Sequence, residues 1–145
     1  MLYATILSFV LLLSTIIIHF WALRGISDYL CRCSPQSRVP VLVAMMAIFL
    51  AHLTEVSLYA VAYSVLEHSL LVGELSGTPG DTPMDYFYYS IVMYTSLGLG
   101  DVVPVGHLKI ISGIEALNGL VLIGWSTSFT FLAMRRFWPL DATTP

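Results

Sequence analysis

The sequence at residues 94–101 is Tyr-Thr-Ser-Leu-Gly-Leu-Gly-Asp, in which two glycines alternate with leucines between a Thr-Ser pair and an acid. Glycine tolerates positive φ, so Gly98 and Gly100 let successive backbone carbonyls point in the same direction. Inside a membrane, exposed carbonyls are tolerated only where they line a water-filled path. A ring of such oxygens can replace the water shell of a cation. The stretch therefore predicts a cation pathway, provided that the rest of the chain spans a membrane.

The composition indicates an integral membrane protein. Of the 145 residues, 57% are hydrophobic and only 10% are charged, and the mean hydropathy is +0.84. Soluble domains carry about 25% charged residues, so the apolar excess must face lipid. We do not expect an enzyme, because His52-x-x-Glu55 is not the His-Glu-x-x-His zinc motif. We also expect no organic cofactor and no nucleic-acid partner.

Three apolar segments are long enough to cross a bilayer, which takes about 20 residues. They are residues 2–23, 41–66 and 109–134, separated by a polar loop at 25–38 and by a loop rich in glycine and proline at 67–83. Residues 84–95 predict a further helix, which at about a dozen residues is too short to cross. Because this short helix runs directly into the glycine-rich stretch, we expect a re-entrant loop.

The basic residues predict the orientation of the spans. Lys109 lies at the start of the third span. The arginines all lie on the opposite side of the membrane, and they are Arg24, Arg32, Arg38, Arg135 and Arg136. Cytoplasmic segments carry the excess of Lys and Arg. The first loop and the C-terminus are therefore expected in the cytosol and the N-terminus outside, so that the re-entrant loop enters from the outer side. In the cytosolic loop, Cys31 and Cys33 should stay reduced.

This arrangement, together with the stretch at 94–101, resembles the pore domain of potassium channels, whose filter is commonly Thr-Val-Gly-Tyr-Gly-Asp. The resemblance covers residues 40–136 and implies an all-α membrane protein. It would have three transmembrane helices, a re-entrant pore helix and an extended selectivity filter, assembled as a homotetramer in the lipid bilayer.

The resemblance also implies a division of the chain. Residues 1–38 would be an extra transmembrane helix with a cytosolic loop, 39–138 the pore domain, and 139–145 a short cytosolic tail. Within the pore domain we expect an outer helix at about 40–66, a pore helix at 84–95, a filter at 96–100 and an inner helix at 109–134. We expect the first helix to pack around the outer helix, with His19 and Trp21 as interface anchors near its end.

By the same resemblance, the ion ligands would be backbone carbonyls of the filter. The carbonyls of Ser96, Leu97, Gly98 and Leu99, with the Ser96 hydroxyl, would bind K⁺, and Gly100 would complete the filter. Leu99 stands where the family usually has tyrosine, and it loses the hydrogen bond of the phenol. This departure favours softer selectivity.

Three residues are candidates for supporting the filter: Thr95, Tyr88 and Asp101. In the family, the acid after the filter reaches back to the pore helix, and Tyr88 stands at the matching position. Val92 replaces the acid that some members have there, so a carboxyl pair is not available. The alternative is that Asp101 is simply a solvated acid at the outer mouth.

On the inner helix, Gly119 and Gly124 are candidates for gating flexibility. The alternative is that they allow close packing, since small residues let membrane helices approach one another. Helical spacing makes Leu120, Ile123 and Thr127 the candidates for lining the cavity below the filter.

Ionisable residues inside membrane spans are functional candidates by default. His52 and Glu55 share a helix face because they are three residues apart. We predict one network between the outer and inner helices, formed by His52, Glu55, Glu115 and Asn118. The network would make the pore sense pH, or it would serve as a structural polar clamp.

The sequence favours passive K⁺ conduction across the plasma (inner) membrane, with K⁺ as the bound ion. A weakly selective monovalent-cation channel is the near alternative, and a non-conducting accessory subunit is a more remote one. A haem protein would need paired histidines, whereas His19, His52, His68 and His107 are predicted at different depths.

Overall fold

The computed structural model describes residues 2–70, 73–77 and 82–138. Its elements are α1 (Leu2–Arg32), α2 (Val39–Leu70), β1 (Leu75–Ser76), α3 (Pro83–Tyr94), β2 (Val103–Pro104) and α4 (Leu108–Phe137). The helices α1, α2 and α4 are long and apolar enough to cross a membrane. The predicted all-α membrane fold, with three spans and a short fourth helix, is therefore confirmed. The predicted tail at 139–145 lies outside the described residues.

The short helix α3 begins where the sequence provides a start signal. Pro83 is its first residue, and proline has its φ preset for the first turn of a helix. The backbone N–H of Thr82 donates to the Asp85 carboxylate at 3.1 Å, and the Thr82 hydroxyl donates to the same oxygen at 2.6 Å. A carboxylate in the first turn also faces the positive end of the helix dipole. These contacts fix the entry of α3 into the bundle.

The predicted polar loop at 25–38 is wrong over its first part, since α1 continues to Arg32. Ile26 and Leu30 are buried in a core that also contains residues of α2 and α4, among them Ala44 and Phe137. This packing offsets the roughly 1 kcal/mol that Gly25 costs inside a helix. The connection between the first two helices is therefore only residues 33–38, and Cys31 lies in the helix.

The helix α1 packs against both α2 and α4, which goes beyond the predicted contact with the outer helix alone. The helix α3 lies between α2 and α4. Four tyrosines are fully buried around it: Tyr59, Tyr63, Tyr89 and Tyr94. Large apolar side chains such as Phe9, Leu13 and Phe49 remain exposed on the outside of the bundle. Such a surface is expected where lipid is the solvent.

The three arginine-rich ends of the spans meet at one end of the bundle. The guanidinium of Arg136 lies 3.6 Å from the Cys31 sulfur, and that of Arg38 lies 5.8 Å from the ring centre of Trp138. The chain therefore runs back and forth through the bundle in the alternating order that the charge pattern predicts.

Candidate functional site

The glycine-rich stretch leaves α3 through a helix-ending turn. The N–H of Ser96 donates to the carbonyl of Met93 at 2.9 Å, and the N–H of Leu97 donates to that of Val92 at 3.0 Å. These two hydrogen bonds, one nested inside the other, are those of the Schellman motif that ends many helices. The residue with positive φ in this turn is Ser96, at 57°, in a position where glycine is usual. The helix therefore stops at Tyr94, and residues 97–99 are neither helix nor strand.

The sign of φ alternates along the stretch. It is positive at Ser96, Gly98 and Gly100, with values of 57°, 57° and 81°, whereas Leu97 and Leu99 have ordinary negative φ. In a regular strand, side chains and carbonyls alternate between two sides. When the sign of φ alternates from residue to residue, successive carbonyls can instead point to the same side. This backbone needs glycine, or another residue that tolerates positive φ, at every second position. The two glycines of the motif stand where this geometry requires them.

The stretch is exposed over residues 95–101 in the single chain. The side chains of Leu97 and Leu99 are 62% and 58% exposed. A side-chain carbon added at Gly98 or Gly100 would meet no described atom within 4 Å. The backbone of the motif is therefore open on one side in the single chain.

The residues predicted to support the filter form hydrogen bonds at the two ends of the glycine-rich stretch. The phenol of Tyr88 donates to the Asp101 carboxylate at 2.6 Å. This hydrogen bond lowers the pKa of Asp101 from 3.8 and raises the pKa of Tyr88. The Thr95 hydroxyl donates to the carbonyl of Ile91 at 2.7 Å, so it closes the last turn of α3. Asp101 therefore has a partner on the pore helix, although both groups are exposed to solvent.

The Ser96 hydroxyl turns toward α4 and donates to the carbonyl of Ala116 at 3.4 Å. The resemblance to potassium channels predicts instead that this hydroxyl faces the ion path. A hydroxyl that donates one hydrogen bond keeps two acceptor lone pairs. The oxygen can therefore still accept a cation, although its proton is directed at the inner helix.

A two-stranded ribbon connects the far end of the stretch to the loop after α2. Strand β1 pairs antiparallel with β2, with Leu75 opposite Pro104 and Ser76 opposite Val103. Gly77 has φ of 116°, and a side-chain carbon there would lie 2.2 Å from the carbonyl oxygen of Asp101. Only glycine fits this close approach. The loop before α3 thus packs directly behind the end of the stretch.

The two candidate gating glycines lie in different surroundings. Gly119 is buried, and a side-chain carbon at this position would lie 1.9 Å from the carbonyl oxygen of Tyr94, at the end of α3. At Gly124 no described atom would be within 4 Å. Close packing therefore explains Gly119, whereas Gly124 has no packing requirement in the single chain. The cavity-lining candidates Leu120 and Thr127 are exposed, and Ile123 is half-buried.

The predicted single polar network is wrong, since the hydrogen bonds of the described residues divide its four members into three groups. Glu55 contacts His52 at 3.2 Å and also His19 at 2.9 Å. Glu115 accepts hydrogen bonds from Tyr63 and Ser90, each at 2.5 Å. Asn118 donates to Thr15 at 2.7 Å. The pair His52–Glu55 is present, but the sequence does not show which helix each polar face meets.

His19 is the residue that sequence reasoning missed, because it is not an interface anchor. Its ring centre lies 5.1 Å from that of His52, so the prediction that these two histidines lie at different depths is wrong. The His19 side chain is fully buried, as are those of Ser8 and Thr15 on the same helix. These three residues are seven and four positions apart, which places them on one face of an otherwise apolar helix. That spacing was a usable signal that α1 has a polar inner face.

The comparisons with known proteins agree with the fold and the motif. Residues 51–136 match the sequence pattern of a family described as "Ion channel". Over 91 residues, or 62% of this chain, the sequence is 30% identical to a protein of Arabidopsis thaliana named "Two-pore potassium channel 4". The chain spans about 29% of the length of that relative. No solved structure matches.

A channel-type membrane protein is thus defined by three spans, a short buried helix and the exposed stretch that follows it. The chain belongs to the ion-channel family whose sequence pattern it matches over residues 51–136.

Proposed function

We propose that this chain forms a K⁺-selective channel, with the ion path running past the carbonyls of residues 96–99 on the axis of a homotetramer. The observation that carries the proposal is the exposed stretch with alternating φ sign at the end of α3. The name of the Arabidopsis relative is that of a potassium channel, which supports the choice of ion. The channel would lie in the plasma (inner) membrane, with the N-terminus outside and the arginine-rich C-terminal end in the cytosol.

One stretch per chain cannot surround an ion, and this is why a tetramer is proposed. In potassium channels, four such loops supply the carbonyl oxygens that replace the hydration shell of the ion. The exposure of Leu97 and Leu99 supports further copies at this face, because apolar side chains at a filter need neighbours on more than one side. A closed ring of four identical chains is a common symmetric assembly.

The electrostatics of the site favour a cation. The C-terminal end of a helix carries a partial negative charge, and α3 ends at Tyr94, directly before the stretch. Asp101 adds a full negative charge at the other end, where its lowered pKa keeps it ionised at neutral pH. Both ends of the path therefore attract cations and repel anions.

The proposal is tested by ion flux into liposomes that contain only this protein. Wild type is expected to pass K⁺ and to exclude Na⁺. Gly98→Ala should abolish flux, because φ of 57° is strained for alanine although space is available. Gly25→Ala is the matched control, since it also adds a methyl group in open space but lies in α1. Absence of flux in wild type, or equal flux in Gly98→Ala, would contradict the proposal.

A weakly selective monovalent-cation channel is the second candidate, and Leu99 favours it. The Leu99 side chain is 58% exposed and offers no hydroxyl to brace the filter. For such a channel, Leu99→Tyr should increase the K⁺ over Na⁺ permeability ratio. The ratio is measured from reversal potentials under bi-ionic conditions. A high K⁺ over Na⁺ permeability ratio in wild type would instead support the K⁺-selective channel.

A further inference from the structure

A buried cluster of nitrogen and oxygen ligands lies between α1 and α2. We call it the His–Glu cluster, and its members are His19 of α1 and His52 and Glu55 of α2. The Nδ1 atom of His19 lies 2.9 Å from one carboxylate oxygen of Glu55, and the Nδ1 atom of His52 lies 3.2 Å from the other. The ligand atoms of all three residues lie within 4.8 Å of one another. Two imidazoles and a carboxylate thus converge on one point from two different helices.

A single hydroxyl of α4 holds both imidazole rings in this orientation. The Ser126 oxygen lies 3.1 Å from Nε2 of His19 and 2.9 Å from Nε2 of His52. Histidine ligands of metals almost always hydrogen-bond through the ring nitrogen that does not bind the metal, which fixes the ring and its tautomer. Ser126 does this for both rings at once. The Nδ1 atoms face the Glu55 carboxylate and are therefore the ones that a shared cation would bind, and that of His52 also lies 2.8 Å from the Tyr94 hydroxyl oxygen.

The negative charge of the buried Glu55 carboxylate also favours a bound cation. The Glu55 side chain is 0% exposed, and a buried carboxylate is costly unless a positive charge offsets it. The Tyr94 phenol adds a further polar contact, since its oxygen lies 2.8 Å from Nδ1 of His52. With both imidazoles neutral, the cluster carries the single negative charge of Glu55, and a bound cation would offset it.

We propose that the His–Glu cluster is a binding site for a divalent transition metal of the Zn²⁺ class. Imidazole nitrogen with carboxylate oxygen suits Zn²⁺ and its neighbours, whereas K⁺, Mg²⁺ and Ca²⁺ prefer oxygen alone. On binding, the metal would take the Nδ1 lone pairs and a Glu55 oxygen, while each neutral imidazole keeps its one proton on Nε2. Both Nε2–H groups then donate to Ser126, whose oxygen has two lone pairs to accept them.

The geometry needs only a small adjustment for this ion. Zn–N distances are about 2.0–2.1 Å, which places the ligands of a tetrahedral site about 3.4 Å apart. Tyr94 supports the carboxylate, since its phenol donates to the second Glu55 oxygen at 2.5 Å. The ion enters through His52, which is 17% exposed and borders a cavity of about 480 Å³ between α2 and α4.

Occupancy would join three separate parts of the molecule. His19 belongs to the first helix, His52 and Glu55 to the outer helix, and Tyr94 is the last residue of α3 before the glycine-rich stretch. Anything that binds the folded state alone stabilises it. The bound metal is therefore expected to hold α1 against the pore domain and to raise the melting temperature of the assembled protein.

The test uses purified full-length protein in detergent, stripped of metal with a chelator and titrated with Co²⁺ as a spectroscopic probe for Zn²⁺. We expect one Co²⁺ per chain, with the visible absorption of a four- or five-coordinate site. Glu55→Gln and His19→Gln should lose the band. Ser126→Ala should weaken binding about 10–100-fold, as is typical when a residue that orients a ligand is removed.

The control is His68→Gln, which removes an exposed histidine from the same helix and should leave Co²⁺ binding unchanged. Each variant is compared with wild type by size-exclusion chromatography before titration. X-ray absorption of Zn²⁺-loaded wild type needs no variant, and it should count two imidazoles and at least one oxygen. Absence of the Co²⁺ band in wild type, or a band that survives both Glu55→Gln and His19→Gln, overturns the proposal.

Discussion

Tyr88 and Asp101 are thirteen residues apart in the chain, and one hydrogen bond of 2.6 Å joins them across the end of the glycine-rich stretch. The bond lowers the pKa of Asp101 from 3.8. A lowered carboxylate pKa stabilises the folded state at pH values above the unfolded pKa, and the contribution is lost as the pH falls through the folded pKa. The Tyr88–Asp101 hydrogen bond should therefore stabilise the folded state at neutral and mildly acidic pH, and this contribution should be lost only in strong acid.

Removing the phenol should therefore weaken the outer end of the filter at neutral pH. In Tyr88→Phe, the pKa of Asp101 should rise, because the phenol hydrogen bond is the largest cause of its lowering, and the current should decay faster during sustained opening. Tyr29→Phe is the control, because it removes an exposed phenol at the far end of α1. The measurements are an NMR titration of the Asp101 carboxyl carbon and single-channel recording. An unchanged pKa and unchanged decay would show that the bond does not brace the filter.

At the residue scale, the sequence predicted those contacts that depend on spacing within one element or on the filter motif. The pair His52–Glu55 follows from helical spacing, and Tyr88–Asp101 follows from the resemblance. The contact of His19 with Glu55 depends on which face of α1 meets α2. Glu115 likewise contacts Tyr63 and Ser90, and not Glu55. Such contacts between helices are decided by packing, which hydropathy does not encode.

At the scale of elements, hydropathy located the three long helices because a span is defined by length and apolar content. It placed their ends less well. The helix α1 extends to Arg32 because Ile26 and Leu30 are buried by the other two helices. The helix α2 likewise continues to Leu70, beyond the predicted end at 66. Tertiary contacts thus extend helices past the point where local composition turns polar.

The contact between α3 and α4 predicts a difference between the two glycines of the inner helix. Gly119→Ala places a methyl group 1.9 Å from a backbone oxygen of α3, so one of the helices must shift. Overpacking of this kind costs about 1–3 kcal/mol of stability. Gly124→Ala is the matched control, since nothing described lies within 4 Å and alanine is the better helix former. Thermal unfolding in detergent should show a lower midpoint for Gly119→Ala alone, and equal midpoints would contradict the packing interpretation.

At the scale of the whole molecule, one chain carries one glycine-rich stretch, so the proposed channel requires an assembly of several chains. The number of chains in that assembly can be measured through a subunit that assembles but does not conduct. In Gly98→Ala the change lies in the exposed stretch, where the added methyl group meets no described atom within 4 Å. Assembly of this variant is verified by size-exclusion chromatography before the mixing experiment.

Mixing this variant with wild type then separates a tetramer from independent pores. If one altered filter strand is enough to stop conduction, equal amounts of the two chains should leave about one sixteenth of the wild-type flux, because only rings of four wild-type chains conduct. Chains that conduct independently would leave half. Gly25→Ala, mixed in the same proportion, should leave the full flux. The dominant loss is expected because, in the proposed tetramer, each subunit would contribute a quarter of every ion site.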